Sequence, residues 1–218
     1  MATYEDLIQG LVKDGYLKTP AIIDAFKAID RKDFLPNEMQ DKAYENTALP
    51  IGHSQTISQP LVVAFMLELL NIKPGEKILE IGTGSGWQTA IIAHVVSHIQ
   101  TAGEGGWQKN IVSVERVKEL HDFSRERIAK YGYEKDGLVE LVLGDGSLGH
   151  PVGAPYDKII AAASAAEMPE AWKDQLKIGG KIVAPVKESI IVLEKTAKDK
   201  MEMKEYFGFS FVPLIPKP

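Results

Sequence analysis

One stretch constrains this chain more than any other. In KILEIGTGSGWQTA, residues 77–90, an apolar run ends in alternating glycines, Gly82, Gly84 and Gly86, and a helical pattern follows. Glycine lets the backbone turn tightly and approach a ligand closely. In an open α/β sheet, the first strand–turn–helix of this kind is where nucleotides bind. Without that context, three glycines would mean only a tight connection.

The context is present. Beyond residue 77 the pattern alternates. Strands are expected at 77–81, 110–114, 138–143, 156–162, 181–186 and 189–194, with another within 201–212. Helices are expected at 87–99, 117–131 and 169–176. Gly179 and Gly180 read as a break before the strand at 181. Residues 103–109 look like an insertion in the first crossover. Such alternation implies βαβ units and a doubly wound, mostly parallel sheet with antiparallel strands at its C-terminal end. Upstream, apolar spacings of three and four predict helices at 4–13 and 21–29, the second starting near Thr19–Pro20. Residues 31–36 end that helical segment. Residues 44–59, YENTALPIGHSQTISQ, show neither period and read as a long loop, ordered or disordered. A buried helix follows at 60–70. The chain reads as one domain, 1–218, with N-terminal helices and loop over 1–59 and the α/β core over 60–218.

Composition narrows the function. The 218 residues carry a net charge of −5, which disfavours a nucleic-acid partner. There is no cysteine, so thiolate metal sites and cysteine nucleophiles are excluded. The N-terminus has no basic segment followed by an apolar run, and the apolar stretch 61–70 is interrupted by Glu68. A cytoplasmic, membrane-free protein is expected.

The acids near the turn bear on the ligand. A dinucleotide site prefers G-x-G-x-x-G, with pyrophosphate on the helix N-terminus. Here the spacing is G-x-G-x-G, and Glu80 precedes it. A carboxylate there would repel pyrophosphate but suit an ammonium and a sulfonium, as in S-adenosylmethionine. Glu115 ends the second strand, where an acid can accept hydrogen bonds from ribose hydroxyls. Asp145, in Gly144–Asp145–Gly146 after the third strand, could meet the adenine amino group, although D-G is also a common turn pair.

Several segments together resemble the protein-L-isoaspartate O-methyltransferases, a family within the class I, Rossmann-like methyltransferases. They are DRKDFLP (30–36), ALPIGHSQTISQP (48–60), LEIGTGSGWQTA (79–90), GDGSLG (144–149), the stretch 154–186 and FVPL (211–214). The resemblance implies methyl transfer from S-adenosyl-L-methionine to the free carboxylate of L-isoaspartyl residues in damaged proteins and peptides. S-adenosyl-L-homocysteine is the other product, and the ester then closes to a succinimide. It implies Ser58 as the active-site residue. Glu80, Gly82, Thr83, Gly84, Ser85, Gly86, Glu115, Arg116, Asp145 and Gly146 would contact the cofactor. Leu49, Pro50, His53, Thr56, Ile57 and Gln59 would form the substrate loop. A monomer is expected. Lys187, where the family often has glycine, and the 103–109 insertion depart from the pattern.

The implied nucleophile is already ionised near neutral pH, so no strong general base is needed. Hydroxyls at Thr56 and Ser58 could hold the carboxylate; Ser58 could equally cap the helix beginning at 60. His94 and His98 share a helix face, but the glutamate of H-E-x-x-H is absent and no metal is expected. Trp87 and Trp107 read as packing residues. The rival readings are a methyltransferase acting on nucleic acid or a small molecule, a non-catalytic adenosyl-nucleotide binder and a dinucleotide oxidoreductase. The first is disfavoured because AAASAAE follows the fourth strand where an Asn/Asp-Pro-Pro-aromatic motif would stand.

Overall fold

A computed structural model describes residues 3–99 and 110–216. The 103–109 insertion and Trp107 lie outside the described residues. The chain opens with α1 (Tyr4–Lys13) and α2 (Pro20–Ala28). Thr3 and Asp6 form a reciprocal capping box at the start of α1. Pro20 begins α2, where its missing N–H costs nothing. Two 3₁₀ turns, Arg31–Phe34 and Asn37–Lys42, follow.

The next segment is more regular than its sequence suggests. Residues 44–59 contain a hairpin of β1 (Leu49–Gly52) and β2 (Gln55–Ile57), paired Leu49 to Ile57 and Pro50 to Thr56. The connection, His53–Ser54, holds both residues at positive φ, 51° and 57°. A two-residue hairpin turn needs that geometry and usually takes it from Asn-Gly or Asp-Gly. His-Ser conceals it. Then α3 (Pro60–Leu70) begins with Gln59 as its cap residue.

The central sheet contains β3 (Ile78–Ile81), β4 (Ile111–Glu115), β5 (Val139–Leu143), β6 (Tyr156–Ala161), β7 (Leu176–Val186), β8 (Ser189–Ala197) and β9 (Lys200–Phe207). Their order is β5-β4-β3-β6-β7-β8-β9. The pairs from β5 to β7 are parallel; β8 and β9 add antiparallel. Helices α4 (Trp87–Ile99), α5 (Lys118–Ala129) and the short α6 (Glu170–Asp174) complete the crossovers. The chain winds outward from β3 to β5 and then returns to β3's other side. That reversal leaves a crevice at the carboxyl ends of β3 and β6, where open α/β sheets bind ligands.

Strand alternation divides the core. Ile78, Ile111, Ile160 and Val183 face the layer containing α1–α4, whereas Leu79, Val112, Ile159 and Ile182 face the layer containing Trp172 of α6. The first cluster runs from Leu7 through Val63 to Val192, so the N-terminal helices share their core with the sheet. Gly179 and Gly180 do not break the chain as expected. They lie within β7, whose register against β6 shifts between the Tyr156–Leu176 and Lys158–Lys181 pairs. Gly180 is packed so closely that a Cβ there would come 2.9 Å from the Asp157 carbonyl.

One glycine of the β3–α4 turn is set by space as well as by backbone. Gly86 has φ of +89°, and a Cβ would meet Ile128 and Ser124 of α5 at 3.0–3.1 Å. Gly86→Ala should therefore cost about 1–3 kcal/mol from left-handed strain and overpacking. The expected result is a lower urea midpoint at an unchanged m-value.

Candidate active site

Strand alternation, together with the reach of the turn, sets the site. Gly82 and Thr83 donate backbone N–H bonds to the Val114 carbonyl, and Gly86 donates to Thr83, closing the turn. Gly82, Gly84 and Gly86 all have positive φ. Glu115, at the end of β4, accepts from Gly84 N at 2.9 Å through one oxygen and from the Arg116 and Val117 N–H groups through the other. This buried carboxylate therefore links the turn to the next strand. A carboxylate offers about four acceptor positions, so capacity remains on the crevice side.

Three cavities meet here. One crevice, of about 640 Å³ including its mouth, is lined by Gly82, Gly84, Glu115, Arg116 and Gly146 together with apolar Ile81, Val114, Val117 and Leu214. A smaller cavity of about 330 Å³ lies over Thr83, Ser85, Trp87 and Gln88. A large, shallow one of about 1410 Å³ runs past Tyr16, Ser58, Gln59 and Phe209–Val212. Thr56 and Ala162 wall all three, and Ser58 walls the last two.

Other expected site residues stand elsewhere. Glu80 is not brought to the crevice. Alternation along β3 turns it toward α4, where it is fully buried and accepts from Gln88 Nε2 at 2.9 Å, Thr89 Oγ1 at 2.5 Å and Ser113 Oγ at 2.7 Å. Burial raises its pKa and these donors oppose the rise. Its carboxyl ties α4 to β4. Asp145 caps a 3₁₀ turn, accepting from the Ser147 backbone and hydroxyl; it and Gly86 line none of the three cavities. Leu49 and Ile57 face the core across the hairpin, although Ile57 also edges the smaller cavity. Pro50 is exposed, and His53 sits at the exposed hairpin tip.

Ser58 is released from one of its two readings. The cap position of α3 belongs to Gln59, with no side-chain cap bond. The orphan N–H of Leu61 is instead taken by Asn46 Oδ1 at 3.0 Å, and Gln59 Nε2 donates to the Asn46 carbonyl at 2.9 Å.

Sequence reasoning missed two contributors. Val212–Ile215, beyond the last strand, close one side of the crevice; the FVPL motif was the available signal. Arg31 is fully buried and donates to the carbonyls of Ala43, Glu45, Thr47 and Ser58 at 2.8–3.1 Å. Its guanidinium carbon lies 5.4 Å from the Trp87 ring centroid. Burial pulls its pKa down to about 10, which leaves it charged at neutral pH. Within DRKDFLP, residue type alone gave no hint of burial, because arginine is almost always exposed.

The chain is 39% identical to the protein-L-isoaspartate O-methyltransferase of Methanopyrus kandleri, covering 97% of this chain and 90% of that protein. It is 41% identical to the same-named protein of Ignicoccus hospitalis, covering 96% of each. A Plasmodium falciparum protein-L-isoaspartate O-methyltransferase, solved with S-adenosyl-L-homocysteine, shares the fold at a TM-score of 0.84 with 24% identity and 99% coverage of both chains. The family model for protein-L-isoaspartate(D-aspartate) O-methyltransferase matches residues 2–217. With a crevice at the switch point, a hydroxyl-bearing hairpin beside it and the family pattern over residues 2–217, the chain belongs to the protein-L-isoaspartate(D-aspartate) O-methyltransferase family.

Proposed function

We propose that the protein methylates the free carboxylate of L-isoaspartyl residues in damaged proteins and peptides, with S-adenosyl-L-methionine as methyl donor, and so starts their repair through a succinimide. The observation that carries this reading is the position of Thr56 and Ser58 where a nucleotide crevice opens into a broad surface cavity. The crevice suits the cofactor chemically. Glu115 can accept from a ribose diol, and Ile81, Val114 and Leu214 offer apolar walls to a flat base. A Cβ on Gly84 would meet only Ile51, at 3.8 Å, so that stretch of turn faces open space. Arg116 and Gly146 complete this wall, while Thr83 and Ser85 line the smaller cavity beside it.

Bound there, the cofactor supplies an electrophilic methyl group. The chain's task is alignment and water exclusion, because the attacking carboxylate arrives ionised. The Ser58 and Thr56 hydroxyls donate to that carboxylate and fix its approach. The large cavity beside them leaves room for peptide on both sides of the isoaspartyl residue, with Gln59 at its wall. Leu49, Pro50, His53 and Ile57 act as hairpin framework. Glu80 ties α4 to β4, Gly86 closes the cofactor turn, and Asp145 fixes the 3₁₀ turn that begins at Gly146.

A cytoplasmic monomer with protein rather than nucleic-acid partners is the accompanying proposal; the net charge of −5 disfavours nucleic acid, and the lack of cysteine suits a reducing compartment. Among the described residues no helix is long and apolar enough to cross a membrane. We take 1–218 as one domain, supported by the apolar cluster that joins N-terminal helices to sheet.

Paired peptides differing only in aspartyl or isoaspartyl linkage, incubated with labelled S-adenosylmethionine, test the reading. Label should enter only the isoaspartyl peptide; equal or absent labelling would sink it. Ser58→Ala should lower kcat by roughly 10²-fold, the scale for losing one positioned donor. Cofactor Kd should hardly change. Loss of cofactor binding instead would remove Ser58 from the acceptor side.

A further inference from the structure

We propose a divalent transition-metal site, separate from the methyl-transfer crevice, formed by Asp24 of α2 with His94 and His98 of α4. The ligating atoms of these three side chains all lie within 4.8 Å of one another. The sequence shows only the histidine pair, one helical turn apart. The packing of α2 against α4 adds the third ligand, an oxygen. Two imidazoles and a carboxylate form a donor set that zinc, cobalt and nickel accept, with water completing the shell.

The surrounding bonds orient both rings for this role. His98 Nδ1 lies 2.8 Å from the His94 carbonyl, which can only accept. Nδ1 therefore carries the proton, and the His98 Nε2 lone pair is left to bind. His94 Nδ1 lies 3.1 Å from the Tyr133 hydroxyl, and its Nε2 faces Asp24 Oδ2 at 3.0 Å. A cation would replace the Nε2–H bond to Asp24, and Tyr133 can then accept from Nδ1–H, leaving the His94 Nε2 lone pair to bind. A hydrogen bond from the far nitrogen of each ligating histidine is the usual supporting arrangement at metal sites. The two rings stack at 3.8 Å with 19° between planes. Asp24's side chain is 60% exposed and His94's 10%, which gives an ion an open path from solvent and a sheltered inner ligand.

None of the three residues lines the crevice or its neighbouring cavities. The ion would clasp α2 to α4, with Tyr133 held behind, and would take no part in methyl transfer.

The full chain, stripped with EDTA, can be titrated with Co²⁺ and followed by visible absorption, then back-titrated with Zn²⁺. One Co²⁺ per chain should appear with d–d bands, and Zn²⁺ should displace it. Asp24→Asn and His98→Ala should each weaken Co²⁺ binding by at least about tenfold, and Tyr133→Phe by roughly 10–100-fold. His53→Ala should leave binding intact. Circular dichroism confirms folding of each variant, and the two ligand variants stand independently of each other. Binding no tighter than millimolar, or full binding retained in both His98→Ala and Asp24→Asn, overturns the site. Isoaspartyl methylation in EDTA should be unchanged for the wild type, which separates this proposal from the methyltransferase reading.

Discussion

Arg31→Ala is expected to destabilise the protein more than Gly86→Ala does. The native side chain is fully buried and supplies donors to the carbonyls of Ala43, Glu45, Thr47 and Ser58. Those carbonyls belong to the segment that carries Thr56 and Ser58, the proposed acceptor-side hydroxyls. Truncation leaves a cavity and removes the partner of one buried and three part-buried acceptors at once. Each orphaned acceptor costs on the order of 1 kcal/mol, and the cavity adds to it, so a loss of about 3–5 kcal/mol is expected. Arg31→Met restores much of the volume but none of the donors, and should recover only the cavity part. Arg31→Lys keeps the charge, but one ammonium cannot reach carbonyls spread around a planar fork. It should recover stability partly. Its kcat should remain depressed at near-normal cofactor affinity, because the Ser58 carbonyl loses its hold. Chemical denaturation, with kcat and cofactor Kd measured on folded protein, checks each part. Wild-type kcat in Arg31→Lys would show that Arg31 matters only for stability.

This cage explains why the hairpin segment was hard to read. Sequence patterns work when side chains pack by their own period. The parallel strands were legible because β3 and β4 are buried on both faces and read as continuous apolar runs. α1 and α2 were legible because one apolar stripe faces the core. The 44–59 segment follows neither rule. Its order comes from a buried cation contributed by residue 31, from Asn46 reaching forward to α3, and from a turn whose positive φ values fall on His53 and Ser54. None of these is a local pattern. The same holds at the site. The glycines stand out because they lie on one strand–turn–helix unit, and Glu115 because it ends the adjacent parallel strand β4. Glu80 was read as facing the ligand because sequence gives adjacency and not direction; the pleat of β3 turns it toward α4. Asp24 could not be joined to His94 and His98 before the helix packing was known, since 70 residues separate Asp24 from His94.

Glu115 offers the other large effect, and one that separates a ligand contact from a structural one. Its carboxylate accepts from the Gly84, Arg116 and Val117 N–H groups. Glu115→Gln keeps the shape but turns an NH₂ toward at least one of those donors and removes the charge. Losing a hydrogen bond to a charged group costs about 1.5–3 kcal/mol, so a loss of folding stability in that range is expected from the backbone bonds alone. A weaker cofactor affinity would then be ambiguous, because a loosened turn would also produce it. A double-mutant cycle with the ligand removes the ambiguity. Wild-type protein should bind S-adenosylhomocysteine about 10–100-fold more tightly than its 2′-deoxy analogue, the value of one charge-assisted bond to the ribose. Glu115→Gln should bind both weakly and distinguish them by less than about threefold, because a neutral amide replaces the charged acceptor that reads the hydroxyl. Calorimetry on the four combinations gives the coupling directly. If the variant still prefers the ribonucleoside as strongly as the wild type does, Glu115 only ties the glycine turn to β4, and the ribose is read elsewhere in the crevice.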